Sequence, residues 1–144
     1  MLWFDGQAEE AAEFYVNLFK DSKILNKTNT PNGGVFTVEF EILGTKYTAL
    51  NGGPMFSFTE AFSIFILCQD QSEVDKYWDA LTSNGGTAGR CGWLKDKFGL
   101  SWQIIPKQLN ECLGNPDPSK SAAAMTAMMG MSKLIVSELE AAVK

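Results

Sequence analysis

Histidine is missing altogether from this 144-residue chain. That absence removes Ser-His-Asp and Cys-His catalysis, together with every imidazole-based metal site. Cysteine is scarce: Cys68, Cys91 and Cys112 stand far apart, and no CxxC pair exists. The spacing excludes a zinc knuckle or a thioredoxin-like centre, and reduced thiols in the cytoplasm are the simplest reading. A basic surplus is lacking too. The net charge is −5, whereas binding to phosphates needs a basic face, so no nucleic-acid partner is expected. No uncharged apolar run reaches the roughly 18 residues of a membrane span. MLWFDGQAEE has no basic start and turns acidic at once, so neither membrane attachment nor a signal peptide is expected, and localisation is expected to be cytoplasmic.

What is present is ordinary globular material, 45% hydrophobic and 20% charged, in one domain's worth of chain or two small, intimately packed modules. A chain of this length buries roughly two thirds of its unfolded surface. Within it lies a repeat. FDGQAEEAAEFYVNL (4–18) can be laid over LCQDQSEVDKYWDAL (67–81), so that Glu10 meets Glu73, Phe14 meets Tyr77, Tyr15 meets Trp78 and Leu18 meets Leu81. Each segment follows a short apolar run, Leu2 to Phe4 and Phe62 to Cys68, and each reads as strand then helix. Ala8, Ala11, Ala12, Tyr15 and Phe19 form one helical stripe; Val74, Tyr77, Trp78 and Leu81 form the other. Ser72 is the expected cap of the second helix, and Gly85-Gly86 its end.

VFTVEFEI then alternates, with Phe36, Val38, Phe40 and Ile42 on one face, and Gly44 turns the chain into KYTALN. GWLKD, Gly99 and SWQIIP repeat this hairpin, aligning Tyr47 with Trp102 and Thr48 with Gln103. The second offset is shorter than the first, so the second half has lost residues between its helix and its hairpin. After Pro106, NPDPSK onward reads as a turn and two helices, with Asp117 or Ser119 as cap, Pro118 in the first turn and a break at Gly130 to Ser132.

LWFDGQAEEAAEFY, TALNGGPMFSFTEAFS, CGWLKDKFGLSWQI and the PDPSK to AMMGM tail, in that order, make the chain similar to the vicinal-oxygen-chelate superfamily (glyoxalases, bleomycin-resistance proteins, extradiol dioxygenases). The similarity is greatest to its PhnB-like branch, labelled 3-demethylubiquinone-9 3-methyltransferase-like. The resemblance implies an α+β fold of tandem βαβββ modules, a curled mixed sheet around a cleft, with a C-terminal helical appendix. The expected division is 1–106 (modules of about 1–53 and 54–106) followed by 107–144. Because relatives carry residues before LWFDG, it also implies that the chain starts within its first strand.

Enzymes of that superfamily hold a divalent metal by one side chain from each of four strands. D-x-x-G-x-x-x-Gln places Gln103 at one ligand position, pseudo-symmetry places Thr48 at a second, Ser63 falls on a third, and the fourth lies at or before Met1. Divalent ions want charged or imidazole ligands, which Gln, Ser and Thr do not supply, so no metal and no cofactor are expected. Asp96, Glu60 and Glu41 lie off the expected positions. The glycine pairs NGG and SNGG do not form the G-x-G-x-x-G turn that a nucleotide-binding unit would use.

The residues themselves keep two readings open. Gln103 is either a ligand-binding amide or a polar group satisfied by backbone or water. Trp3, Trp93 and Trp102 are either pocket walls or core. Glu60 is either a base or a salt-bridged surface group, and Cys91 either a thiolate nucleophile or inert packing. Met125, Met128, Met129 and Met131 read as a docking surface. Taken together, the expected ligand-binding residues are Trp3, Thr48, Asn51, Ser63, Trp93 and Gln103, around a small organic molecule in a homodimer. A metal-dependent lyase, isomerase or dioxygenase with unusual carboxylate ligands is the alternative enzyme, and a ligand-free structural dimer module the alternative without chemistry.

Overall fold

A computed structural model describes all residues, Met1–Lys144, in two units, Met1–Phe58 and Thr59–Lys144. In the first unit the order is β1 (Leu2–Phe4), α1 (Ala8–Leu18), β2 (Lys23–Asn29), β3 (Val35–Ile42) and β4 (Thr45–Asn51). Ala8, Ala11 and Ala12 are fully buried, and side chains that small let α1 lie close on the sheet. Tyr15 brings its ring to 6.2 Å from that of Phe40, which in turn stacks on Tyr47 at 5.5 Å. Val38, Phe40 and Ile42 are buried as their alternation predicts, whereas Phe36 is 45% exposed because it lies near the strand's open end. Full burial of each such side chain contributes about 1.5–3 kcal/mol.

The sheet order is β1-β4-β3-β2, with β1 parallel to β4 and the other pairs antiparallel. Leu43 and Gly44, at φ +48° and +84°, make the two-residue hairpin between β3 and β4, the turn whose twist matches its strands. β2 is polar, almost wholly exposed and interrupted by two register irregularities, all features that protect a sheet edge.

The second unit repeats the plan with β5 (Ile64–Cys68), α2 (Gln71–Thr82), β6 (Thr87–Ala88), β7 (Trp93–Lys95) and β8 (Ser101–Pro106), in the order β5-β8-β7-β6. Register carries the pseudo-symmetry: Phe4 pairs with Asn51 in one sheet as Cys68 pairs with Pro106 in the other. The missing residues fall in β6 and at the start of β7: β6 has two residues where β2 has seven, and β7 three where β3 has eight. Each module thus forms its own four-stranded mixed sheet.

The cap of α2 is Asp70, not Ser72: its carboxylate accepts from Glu73 N at 2.9 Å, while Glu73 accepts from Gln69 N. The β7–β8 hairpin closes through Asp96. Its backbone N–H donates to Leu100 O, and Gly99 sits at φ +87°. Its carboxylate accepts from Phe98 N, Leu100 N and the indole Nε1 of the fully buried Trp102. Asp96 is therefore a structural acceptor, and Trp102 belongs to the core rather than to a pocket wall.

Three helices, not two, follow β8: α3 (Lys107–Leu113), α4 (Pro118–Met129) and α5 (Val136–Ala142). α3 begins directly at Lys107 without a side-chain cap, and KQLNECL carries no start signal, so the sequence conceals it. Asp117 caps α4 by accepting from Ser119 N, with Pro118 in the first turn. The tail has its own core, in which Ile105, Leu109, Cys112, Ala124, Leu134 and Leu139 cluster. It also grips the hairpin: Cys91 N donates to Met131 O, Gly92 N to Ser132 O, Arg90 Nη2 to Met129 O, and Ser132 Oγ to Gly89 O. Cys91 meets the Met129 sulfur at 3.8 Å.

Candidate functional site

Strand alternation gives the second sheet two unlike faces. Ile64, Ile66, Leu94, Trp102 and Ile104 are buried with Val74, Tyr77 and Trp78 of α2. The other face displays Phe65, Trp93, Lys95, Ser101 and Gln103, and Phe65 remains 52% exposed. On this face Gln103 Nε2 donates to Ser63 Oγ at 3.0 Å. Gln103 is thus satisfied by a side chain, a third outcome beside ligand and backbone, and its carbonyl oxygen takes no bond from the protein. Trp93 lies directly opposite Gln103 in register, and Lys95 directly opposite Ser101.

Beside them is a cavity of about 340 Å3, lined among others by Glu60, Thr87, Gly89, Trp93, Lys95 and Ser101. That volume suits a small organic molecule. Glu60 Oε1 holds Lys95 Nζ at 2.5 Å, and this ion pair keeps the Glu60 carboxyl below the usual carboxylate range. Ser101 is 1% exposed, yet its hydroxyl has no hydrogen-bond partner. An orphaned buried hydroxyl costs about 1–3 kcal/mol. Ser101 and Lys95 were missed in the sequence, although both were legible by alternation, two residues from Gln103 and Trp93 respectively.

In the first unit Trp3, Thr48 and Leu50 share the face away from α1. Thr48 borders a hollow of about 240 Å3 with Leu25, Glu39, Lys46 and Tyr47. The Trp3 indole donates to Gly53 O at 2.8 Å and meets the Phe56 ring edge-on at 5.0 Å. Its ring lies so close to Gly52 that a Cβ there would sit 2.3 Å away. Asn51 faces the helix instead. Its carbonyl oxygen accepts from Ala8 N at 2.9 Å and its amide donates to Val35 O, so it caps α1 across space. Ser63, Trp93 and Gln103 are therefore gathered on one sheet face, Trp3 and Thr48 on the other unit's corresponding face, and Asn51 on the opposite side of its sheet.

The divalent metal implied by the resemblance does not fit these donors. Gln103 and Ser63 are neutral and bonded to each other, Glu60 is paired with Lys95, and Asp96 is occupied by three N–H donors. Nowhere do three His, Cys, Asp or Glu side chains gather. No helix is long and apolar enough to cross a membrane.

Solved structures share this fold. The PhnB protein of Bacillus cereus, provisionally described as a 3-demethylubiquinone-9 3-methyltransferase, superposes with a TM-score of 0.68 at 29% identity, covering 73% of this chain and 95% of that one. A Pseudomonas aeruginosa protein matches at 0.59 and 17% identity over 73% and 92%. A glyoxalase/bleomycin resistance protein from Albidiferax ferrireducens matches at 0.50 and 15% over 71% and 90%; these last two show the fold alone. No curated protein matches. The family model described as 3-demethylubiquinone-9 3-methyltransferase matches residues 1–105, and the chain therefore belongs to this PhnB-like family of the glyoxalase fold.

Proposed function

We propose that the protein binds a small organic molecule on the open face of its second sheet, without a metal ion. The observation that carries this reading is the Gln103–Ser63 pair, an oriented amide with a free carbonyl oxygen, set opposite Trp93 and beside a cavity of fitting volume. An amide and a hydroxyl bind polar groups of either sense, and the indole supplies flat apolar area. The neutral, mutually bonded donors support a metal-free site, because a divalent cation stripped of water needs charged or imidazole ligands. Methyl transfer has less support. Neither β1 nor β5 runs into α1 or α2 through a glycine-rich phosphate-binding turn: DGQ and QD are the connections.

A thermal-shift screen of small carbonyl and hydroxyl compounds in chelator tests the reading, since a molecule that binds only the folded protein raises Tm. A hit should weaken about tenfold or more in Gln103→Leu and Trp93→Leu, the cost of one lost polar anchor or aromatic wall. Stoichiometric uptake of zinc, nickel, manganese or iron with a rise in Tm would reverse it.

A further inference from the structure

We infer that the cavity beside Gln103 takes an organic carboxylate with a flat unsaturated body, and that Glu60 occupies the carboxylate's place until such a ligand displaces it. The inference rests on the binding reading above and names its ligand class. Three observations converge. Ser101 is a buried hydroxyl lining the cavity with no acceptor in the protein, so its O–H is a donor awaiting an oxygen. Lys95, its cross-strand neighbour on the same face, adds a cation one step away. That cation is already held by a carboxylate, but by one on a short turn outside any helix or strand, with Glu60 64% and Lys95 43% exposed. An ion pair that exposed is weak and exchangeable.

A ligand carboxylate places one oxygen on Lys95 Nζ and the other on the Ser101 hydroxyl, which Glu60 leaves unbonded. It takes up the Ser101 hydroxyl as well as Lys95, a buried donor that the internal carboxylate leaves unused. The freed Glu60 swings into water, where its charge is solvated at little cost. Trp93 lies two residues from Lys95 on the same strand face, where its ring walls the body of the ligand.

The test measures benzoate binding to the full chain by ligand-observed NMR and calorimetry, with neutral benzamide as the matched control. Benzoate is expected to bind, and benzamide to bind at least about tenfold more weakly, the worth of one charge-assisted bond. Glu60→Gln removes the competitor and should tighten benzoate by about fivefold, the upper range for an exposed pair. Lys95→Gln should weaken it by up to about fivefold, the range of an exposed pair, and Ser101→Ala by about tenfold, the buried bond to a charged group. Ser101→Ala should leave Tm unchanged or raised, which separates a lost contact from a lost fold. Equal affinity for benzoate and benzamide overturns the inference. So does a Glu60→Gln variant that binds benzoate no better than the parent, or no binding to either up to about 10 mM. A neutral carbonyl compound that shifts Tm and is lost in Gln103→Leu would keep the wider binding reading even then.

Discussion

Asp96 shows at the scale of one residue how a carboxylate can look chemical and be architectural. It is 2% exposed, and its acceptors serve two backbone N–H groups of its own turn and the Trp102 indole. Asp96→Ala should lower stability by about 3 kcal/mol or more, since hydrogen bonds to a charged group contribute about 1.5–3 kcal/mol each. A urea midpoint would show it, and a loss below about 1 kcal/mol would contradict the assignment. The sequence exposed Asp96 through its spacing to Gly99 and Gln103. It could not show that the carboxylate turns inward to an indole six positions on. Gly52 is a second such residue: Gly52→Ala must push the Trp3 ring away, costing about 1–3 kcal/mol and shifting tryptophan emission. Asn51, expected to meet ligand, instead answers the orphan N–H at the start of α1, and only long-range pairing of β1 with β4 brings the two together.

At the scale of elements, the docking of the tail on α2 depends on Gln71. Its amide donates to Asp75 Oδ1 and Leu134 O, and its oxygen accepts from Val136 N. Gln71→Ala leaves both tail backbone groups without partners and should raise hydrogen exchange across α5 by about tenfold, equivalent to one net hydrogen bond. Lys133 adds charge, reaching Asp75 at 3.0 Å and Asp79 at 3.3 Å. Asp75 is held below the usual carboxylate range first by the Gln71 amide and then by Lys133, while Asp75 and Asp79 raise Lys133. A depressed acid contributes stability above its unfolded value and loses it as pH falls through the folded one. A raised amine contributes below its unfolded value and loses it as pH rises through the folded one. Protection of α5 should therefore be flat from about pH 4 to 10 and decline on either side. The stripes and hairpins of these elements were readable because period 3.6 and period 2 are written in apolar positions. α3 and the Asp70 cap were not, since one lacks a start signal and the other competes with an equally plausible Ser72.

Across the whole molecule the βαβββ plan was legible, because aromatic pairs such as Tyr15 and Trp78 recur at one helical phase and the two hairpins turn at Gly44 and Gly99. The hollow itself was not, although alternation puts Ser101 and Lys95 on its face, because a cavity is made by what a strand faces rather than by what it contains. The net charge of −5 and isoelectric point near 4.7 predict least solubility close to that pH, a minimum that turbidity across an acid titration would reveal. One attachment reaches further than its size. The connection between α4 and α5 clasps the backbone at Gly89, Cys91 and Gly92, immediately before the strand that presents Trp93 and Lys95. Whatever loosens the final fourteen positions, whether proteolysis or a crowding neighbour, would slacken the arm that frames the cavity. The far end of the chain thus acts as a hasp on the rim of the cavity, fastened at Gly89.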